Sequence, residues 1–177
     1  MSRYLVTALG MLIAFTWSGV AAEDKLHVCS LLTAGEIGQA VGGTVGQSRE
    51  SDVVIQSGPS KGETMGGCMW PTGDQGMVSL NVIHALKGAD REAGLANLRK
   101  AFETLKARGW TEERKDYGNA RCSIMTPPPS GKDVPISTGC MAEAKGMGIS
   151  VGSMSPKNKV AIDKVKALLD KAIGRLQ

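Results

Sequence analysis

Apolar and polar positions alternate most clearly over residues 77–85, where Val78, Leu80 and Val82 are separated by Ser79 and Asn81. A period of two predicts a strand with one buried face. Shorter extended segments are expected at 44–47, at 52–56 and at 66–70, the last stopped by Pro71. Between them, Ser57-Gly-Pro-Ser-Lys-Gly62 reads as a loop. The second half repeats the theme, with a strand at 120–126 and a hairpin of 136–144 and 147–154 turning at Lys145-Gly146. Pro127-Pro-Pro-Ser-Gly131 forces a loop between them. Residues 110–117 fit either an edge strand or a loop.

The helical period takes over at 90–108, where Leu95, Leu98, Phe102 and Leu105 share one stripe and Gly109 follows. A last helix is expected from Ser155 as cap and Pro156 as first residue, with Ala161, Val165, Leu168, Leu169, Ala172, Ile173 and Leu176 as its apolar face. A shorter helix, 34–41, carries every local start and stop feature. Thr33 and Glu36 make a capping box, Leu32 and Ile37 a hydrophobic staple, and Gly42 a left-handed end. Two turns of helix are too short to be stable alone, so a tether is required. Cys29 is placed to supply it.

The first 22 residues read as a signal peptide, with Arg3, an apolar run from Leu5 to Trp17, and Val20-Ala21-Ala22 as cleavage site. The run is shorter than the ~20 residues of a spanning helix, and no transmembrane segment is expected in the mature chain. Residues 23–177 are one domain, expected in the periplasm or secreted after cleavage near Ala22. All four cysteines, Cys29, Cys68, Cys122 and Cys140, lie in the mature part. An even number in an exported chain implies two disulfides, with three connectivities open. The net charge of +4 includes Arg3 of the leader. So small a charge makes no case for nucleic acid.

Gly67-Cys68-Met69 and Gly76-Met77 are echoed by Gly139-Cys140-Met141 and Gly146-Met147, at offsets of 72 (67 to 139) and 70 (76 to 146). They suggest an internal duplication of a ββα unit, with pseudo-repeats at about 29–109 and 110–177. A duplication implies one disulfide per half, Cys29–Cys68 and Cys122–Cys140. It also implies an α+β fold, one antiparallel sheet with both long helices on the same face. Cys29-Ser-Leu-Leu-Thr-x-x-Glu-Ile, a glycine end and then Cys68-Met69-Trp70 resemble the start of small bacterial exported proteins and lipoproteins of unknown function, of the PsbP-like α/β sandwich type. The resemblance extends more loosely to Gly118–Cys122 and the last helix. It implies fold and export, and an envelope-associated, lipoprotein-like accessory protein as one role. Val28 before Cys29 departs from a lipid-attachment site, and Cys122 and Cys140 are additional.

Candidate chemistry is sparse. Gly148-Ile-Ser-Val-Gly152 matches a nucleophile elbow, but that motif needs a strand-to-helix turn and a later histidine. Here Ser150 falls inside a strand and no histidine follows His84. His84 continues the Val78–Val82 face, as a hydrogen-bonded residue at the core edge. Glu112, Glu113 and Asp116 offer carboxylates beside Arg114 and Lys115, a solvated charged segment. Met65, Met69, Met77, Met141, Met147 and Met154 crowd the hairpins, and thioethers suit copper(I). Methionine also fills gaps in a core with few aromatics. The sequence therefore favours a non-catalytic exported module that binds an envelope protein or small ligand without a cofactor. A methionine-based copper carrier is the alternative.

Overall fold

The computed structural model describes residues 26–56, 61–73, 76–84, 88–130, 134–156 and 159–176; the expected leader lies outside these residues. Seven strands form one sheet: β1 (Arg49–Val54), β2 (Thr64–Thr72), β3 (Gly76–His84), β4 (Thr111–Tyr117), β5 (Ala120–Thr126), β6 (Ile136–Ala144) and β7 (Met147–Ser155). Three helices accompany them: α1 (Ala34–Val41), α2 (Gly88–Ala107) and α3 (Ile162–Arg175), with a 3-10 turn at Val28–Leu31 before α1. The strand order is β1-β2-β3-β7-β6-β5-β4, and every neighbouring pair is antiparallel. The fold is α+β.

Strand parity divides the sheet into two unlike faces. One face carries Val78, Leu80, Val82, Ile149, Val151, Ile124 and Trp70, all buried. Val165, Leu168, Leu169 and Ala172 of α3 and Ile37 of α1 bury against it, and this is the core. The opposite face presents Gly67, Ser79, Asn81, Ser123, Gly139, Ser150 and Gly152 between partly exposed methionines. α2 lies over this second face. The two long helices thus stand on opposite sides, against the expectation that both cover one. The reason is topological. Four antiparallel steps separate β3 from β4, so these strands are parallel and α2 is the crossover joining them. It spans about 19 Å of sheet with about 30 Å of helix.

The internal duplication is not confirmed. Cys68 and Cys140 both point to the core face, and Met69 and Met141 both to the other. Met77, however, stands opposite Met154 on the second face, whereas Met147 packs against the core. Gly76 is buried at a strand start, while Gly146 is a turn residue at φ 74°. The Gly76-Met77 and Gly146-Met147 match therefore does not align the second strands of the two hairpins.

Local determinants set α1 as expected. The Thr33 hydroxyl accepts from the Glu36 amide at 3.3 Å, and the Thr33 amide donates to Glu36 Oε2 at 2.9 Å. Gly42 ends the helix at φ 77°. Cys29 is bonded to Cys68 and Cys122 to Cys140, the second pair directly opposite across β5 and β6. At Gly66 a Cβ would come within 2.7 Å of Val28 Cγ2, so the 3-10 turn rests on a bare backbone.

Several elements depart from the sequence reading. Residues 44–47 give only the bridge Val45–Thr72, not a strand. β2 runs through Pro71, because its carbonyl accepts from Gly46 and its nitrogen faces the side where β1 has ended, so no ladder bond with β3 is lost. Residues 111–117 are the edge strand β4. α3 starts at Ile162 rather than at Pro156, and Ser155 closes β7. Buried Thr138 donates to the Val160 carbonyl at 2.7 Å and holds that lead-in extended. Ala161 is consequently exposed and caps the helix. His84 is exposed, with no hydrogen bond among the described residues.

Glu36 locks the N-terminal unit to α3. Arg175 donates to both of its oxygens at 2.8 Å and to the Leu31 carbonyl at 3.0 Å, and Lys171 lies 3.2 Å from Oε1. First the guanidinium, then the Thr33 amide, hold the Glu36 carboxyl well below the usual carboxylate range. A depressed folded-state pKa adds stability above the unfolded pKa and loses it as pH falls. Glu36→Gln should therefore cost about 1–2 kcal/mol at pH 7 in urea melts, with the deficit shrinking below about pH 4. An equal deficit at pH 7 and pH 3 would show that the ion pair is not its source.

α2 is held differently. None of its described side chains is buried, and Leu98 is 42% exposed. Exposed ion pairs tie it down, Arg91–Glu143 at 3.1 Å near its start and Lys106–Glu112 at 3.7 Å near its end. Amides of α2 should therefore exchange with deuterium about a hundredfold faster than those of residues 165–172 in α3. Equal protection of the two helices would contradict this packing.

Candidate functional site

The space between α2 and the second sheet face is a groove of about 190 Å³. Its floor is made of small residues, Ser123, Gly139 and Ser150, which sit on three successive strands and leave the helix nothing to pack into. Its roof is apolar: Leu95, Leu98 and Phe102 of α2 face it, with Met141 on the sheet side. Its end wall is charged. β4 places Glu112, Arg114 and Asp116 on this face at a period of two, and β5 pairs them with Met125, Ser123 and Arg121.

Arg114 and Arg121 each direct Nε to the same oxygen of Asp116, at 3.4 and 3.5 Å. Arg99, from the roof, has no ion-pair partner among the described residues and also lines the groove. Glu112 is the one carboxylate in the lining, with Lys106 beside it at 3.7 Å. Lys106 is shared with Glu103 at 3.4 Å, so four cations meet three carboxylates at this end. Apolar surface, an open floor and excess positive charge converge here, and a few polar groups beside an apolar lining can fix a ligand's orientation.

A second recess, about 280 Å³, lies where α1 ends. Thr44, Thr72, Ser153 and Ser155 line it beside Gly42 and Gly43, and no charged side chain does. Despite its larger volume it offers no group that would attract or orient a charged ligand. The groove under α2 is the better candidate.

The candidate residues from the sequence are distributed as follows. Glu112 and Glu113 point to opposite faces, Glu113 pairing with Lys159 at 2.5 Å on the core side, so they cannot act together. Ser150 lies within β7, with Asn81 Nδ2 at 3.5 Å from its hydroxyl, and no strand-to-helix turn follows it. The six methionines separate into four places. Met65 faces Val53 near one edge, Met141 sits in the groove, and Met147 is on the core face. Met69, Met77 and Met154 remain neighbours on the second face. Among the described residues no three His, Cys, Asp or Glu side chains gather as a metal site.

Sequence reading passed over the groove itself. Arg114 belongs in sequence to a solvated charged segment, and Arg99 and Arg121 share no local motif with it. Glu112, Arg114 and Asp116 alternate at strand spacing, but that pattern has meaning only once 111–117 is known to be a strand.

Lys115 and Tyr117 mark the other side of β4. Both donate to Asp163 of α3, Lys115 at 2.9 Å, and the Lys115 ammonium also lies 4.8 Å from the Tyr117 ring centroid. The Tyr117 hydroxyl first, then the Lys115 ammonium, keep the Asp163 carboxyl below its ordinary range. This cluster lashes the edge strand to α3 and faces no cavity.

No family model matches the chain, and no curated protein matches it at a significant level. Among solved structures, the crystal structure of the extracellular domain of PknH from Mycobacterium tuberculosis is similar, with a TM-score of 0.52 and 14% identity. The match covers 82% of this chain and 92% of that domain. At this identity the likeness is one of fold.

Proposed function

We propose that this protein is an exported, non-catalytic binding module that holds a small ligand between α2 and the small-residue face of its sheet. The groove carries the reading: an apolar roof and cationic wall stand over a floor that Ser123, Gly139 and Ser150 leave open. Export is supported by two disulfides, which persist in oxidising compartments. No helix among the described residues is long and apolar enough to cross a membrane. Kinship with the exported proteins that begin Cys-Ser-Leu-Leu-Thr is part of the same reading, supported by the capped α1 and its tether to Cys68. A ligand in the groove would gain the contacts that α2 lacks, and would order that helix.

A Cβ built on Gly139 meets nothing closer than the Val151 carbonyl at 3.9 Å. Gly139→Leu should therefore fold normally and fill the groove. Native mass spectrometry of the wild-type protein, isolated from its own envelope fraction, should show a small-molecule adduct. Gly139→Leu, with an unchanged melting temperature, should lack it. An empty wild type, or the same adduct on both, would overturn the reading.

Copper(I) transport has one observation behind it, the direct register of Met77 with Met154 beside Met69. Copper(I) titration should then shift the methyl resonances of these three and leave that of Met147 in place. Unmoved resonances at all three would remove this alternative.

A further inference from the structure

We infer that the groove takes an amphiphile with one anionic head, a carboxylate or phosphate monoester on a single alkyl chain. The inference rests on the binding reading above and adds the class of ligand. Head and tail each have a separate place. At the β4–β5 end, Arg114 and Arg121 share one oxygen of Asp116, so two guanidiniums have one carboxylate between them. Each fork keeps outer N–H donors with no other acceptor among the described residues, and Arg99 contributes a third guanidinium from above. Arginine forks match the planar oxygens of carboxylates and phosphates. Glu112 also lines this wall, 3.7 Å from Lys106, which it shares with Glu103, and the three guanidiniums still outnumber Glu112 and Asp116.

The tail has the roof. Leu95, Leu98 and Phe102 span two turns of α2, about 10 Å, which matches a chain of medium length. Met141 offers adaptable apolar contact from the sheet. A short anion would forgo this surface, and a cationic amphiphile would meet three guanidiniums. An anionic amphiphile uses both ends.

Isothermal titration at 0.15 M salt, below micelle concentrations, tests this with stated probes. Dodecanoate and monododecyl phosphate should bind the full mature protein with one-to-one stoichiometry. Dodecyltrimethylammonium should not bind, and butyrate should be about a hundredfold weaker than dodecanoate. Arg99→Gln and Arg121→Gln should each weaken dodecanoate about tenfold without changing the melting temperature of the free protein. Gly139→Leu should abolish binding. If the cationic or an uncharged twelve-carbon probe binds as tightly, and Gly139→Leu abolishes that, the groove stands and the anion inference falls. If dodecanoate binds Gly139→Leu unchanged, the amphiphile sits elsewhere and both readings fall. If no amphiphile binds while the envelope-derived protein carries its adduct, this inference falls alone.

Discussion

The sheet has one hydrophobic face and two layers of helix to place, and that asymmetry governs the rest of the molecule. Val78, Leu80, Val82, Ile149 and Val151 spend their apolar surface on α1 and α3. At the middle of the same strands the alternate positions are Ser79, Asn81, Ser150 and Gly152, which offer almost no apolar area to a second helix, and Met77, Ile83 and Met154 stand toward the strand ends. Burial contributes about 25 cal/mol per Å² of apolar surface, so α2 gains little from touching such a face. It crosses there because β3 and β4 are parallel and the chain between them must pass over the sheet. A helix obliged to cross a face it cannot pack against leaves a groove beneath it.

The opposite layer is secured by unlike means that reinforce each other. The Cys29–Cys68 bond fixes the 3-10 turn over β2, where Gly66 leaves room for Val28. From that fixed point, α1 needs only its capping box to begin. Glu36 then serves twice, as the box acceptor for Thr33 and as the partner of Arg175 and Lys171. A surface ion pair is usually worth little. This carboxylate is only 15% exposed and receives a bidentate guanidinium plus a backbone amide, so it sits toward the stronger end. The first and last helices are thereby closed onto each other, 139 residues apart in the chain. Stability gathers on that side and leaves α2 free to be the labile layer.

How far the chain could be read from its residues follows the range of the forces involved. α1 was legible to the residue because Thr33, Glu36 and Gly42 act within ten positions of one another. β5 and β6 were equally clear, being bounded by turn residues and alternation. The start of α3 was misread because Ser155-Pro156 is a good local cap, and a distant hydroxyl, Thr138, overrides it by holding Val160 extended. Pro71 was misread because its cost depends on which side of the strand its nitrogen faces, a property of the neighbours. The face chosen by α2 was invisible for the same reason: it depends on strand order, which periodicity does not contain. The site went with it, since Arg99, Arg114 and Arg121 converge only through that crossover.

The two disulfides differ in what they hold together. One lies in each half of the chain, Cys29–Cys68 and Cys122–Cys140. The bonds do different jobs. Cys29–Cys68 joins a separate N-terminal segment to the sheet across a sequence separation of 39, whereas Cys122–Cys140 links strands already paired, across 18. The loop-closure difference between them is small, about 0.7 kcal/mol. Their positional difference is large. The second bond lies under the groove floor, next to Ser123 and Gly139, and stiffens β5 against β6 where small side chains provide little packing. A floor kept bare for a ligand cannot hold itself by side-chain interdigitation, and a covalent link on its reverse side keeps the register of Arg121 and Met141 without filling the space above them.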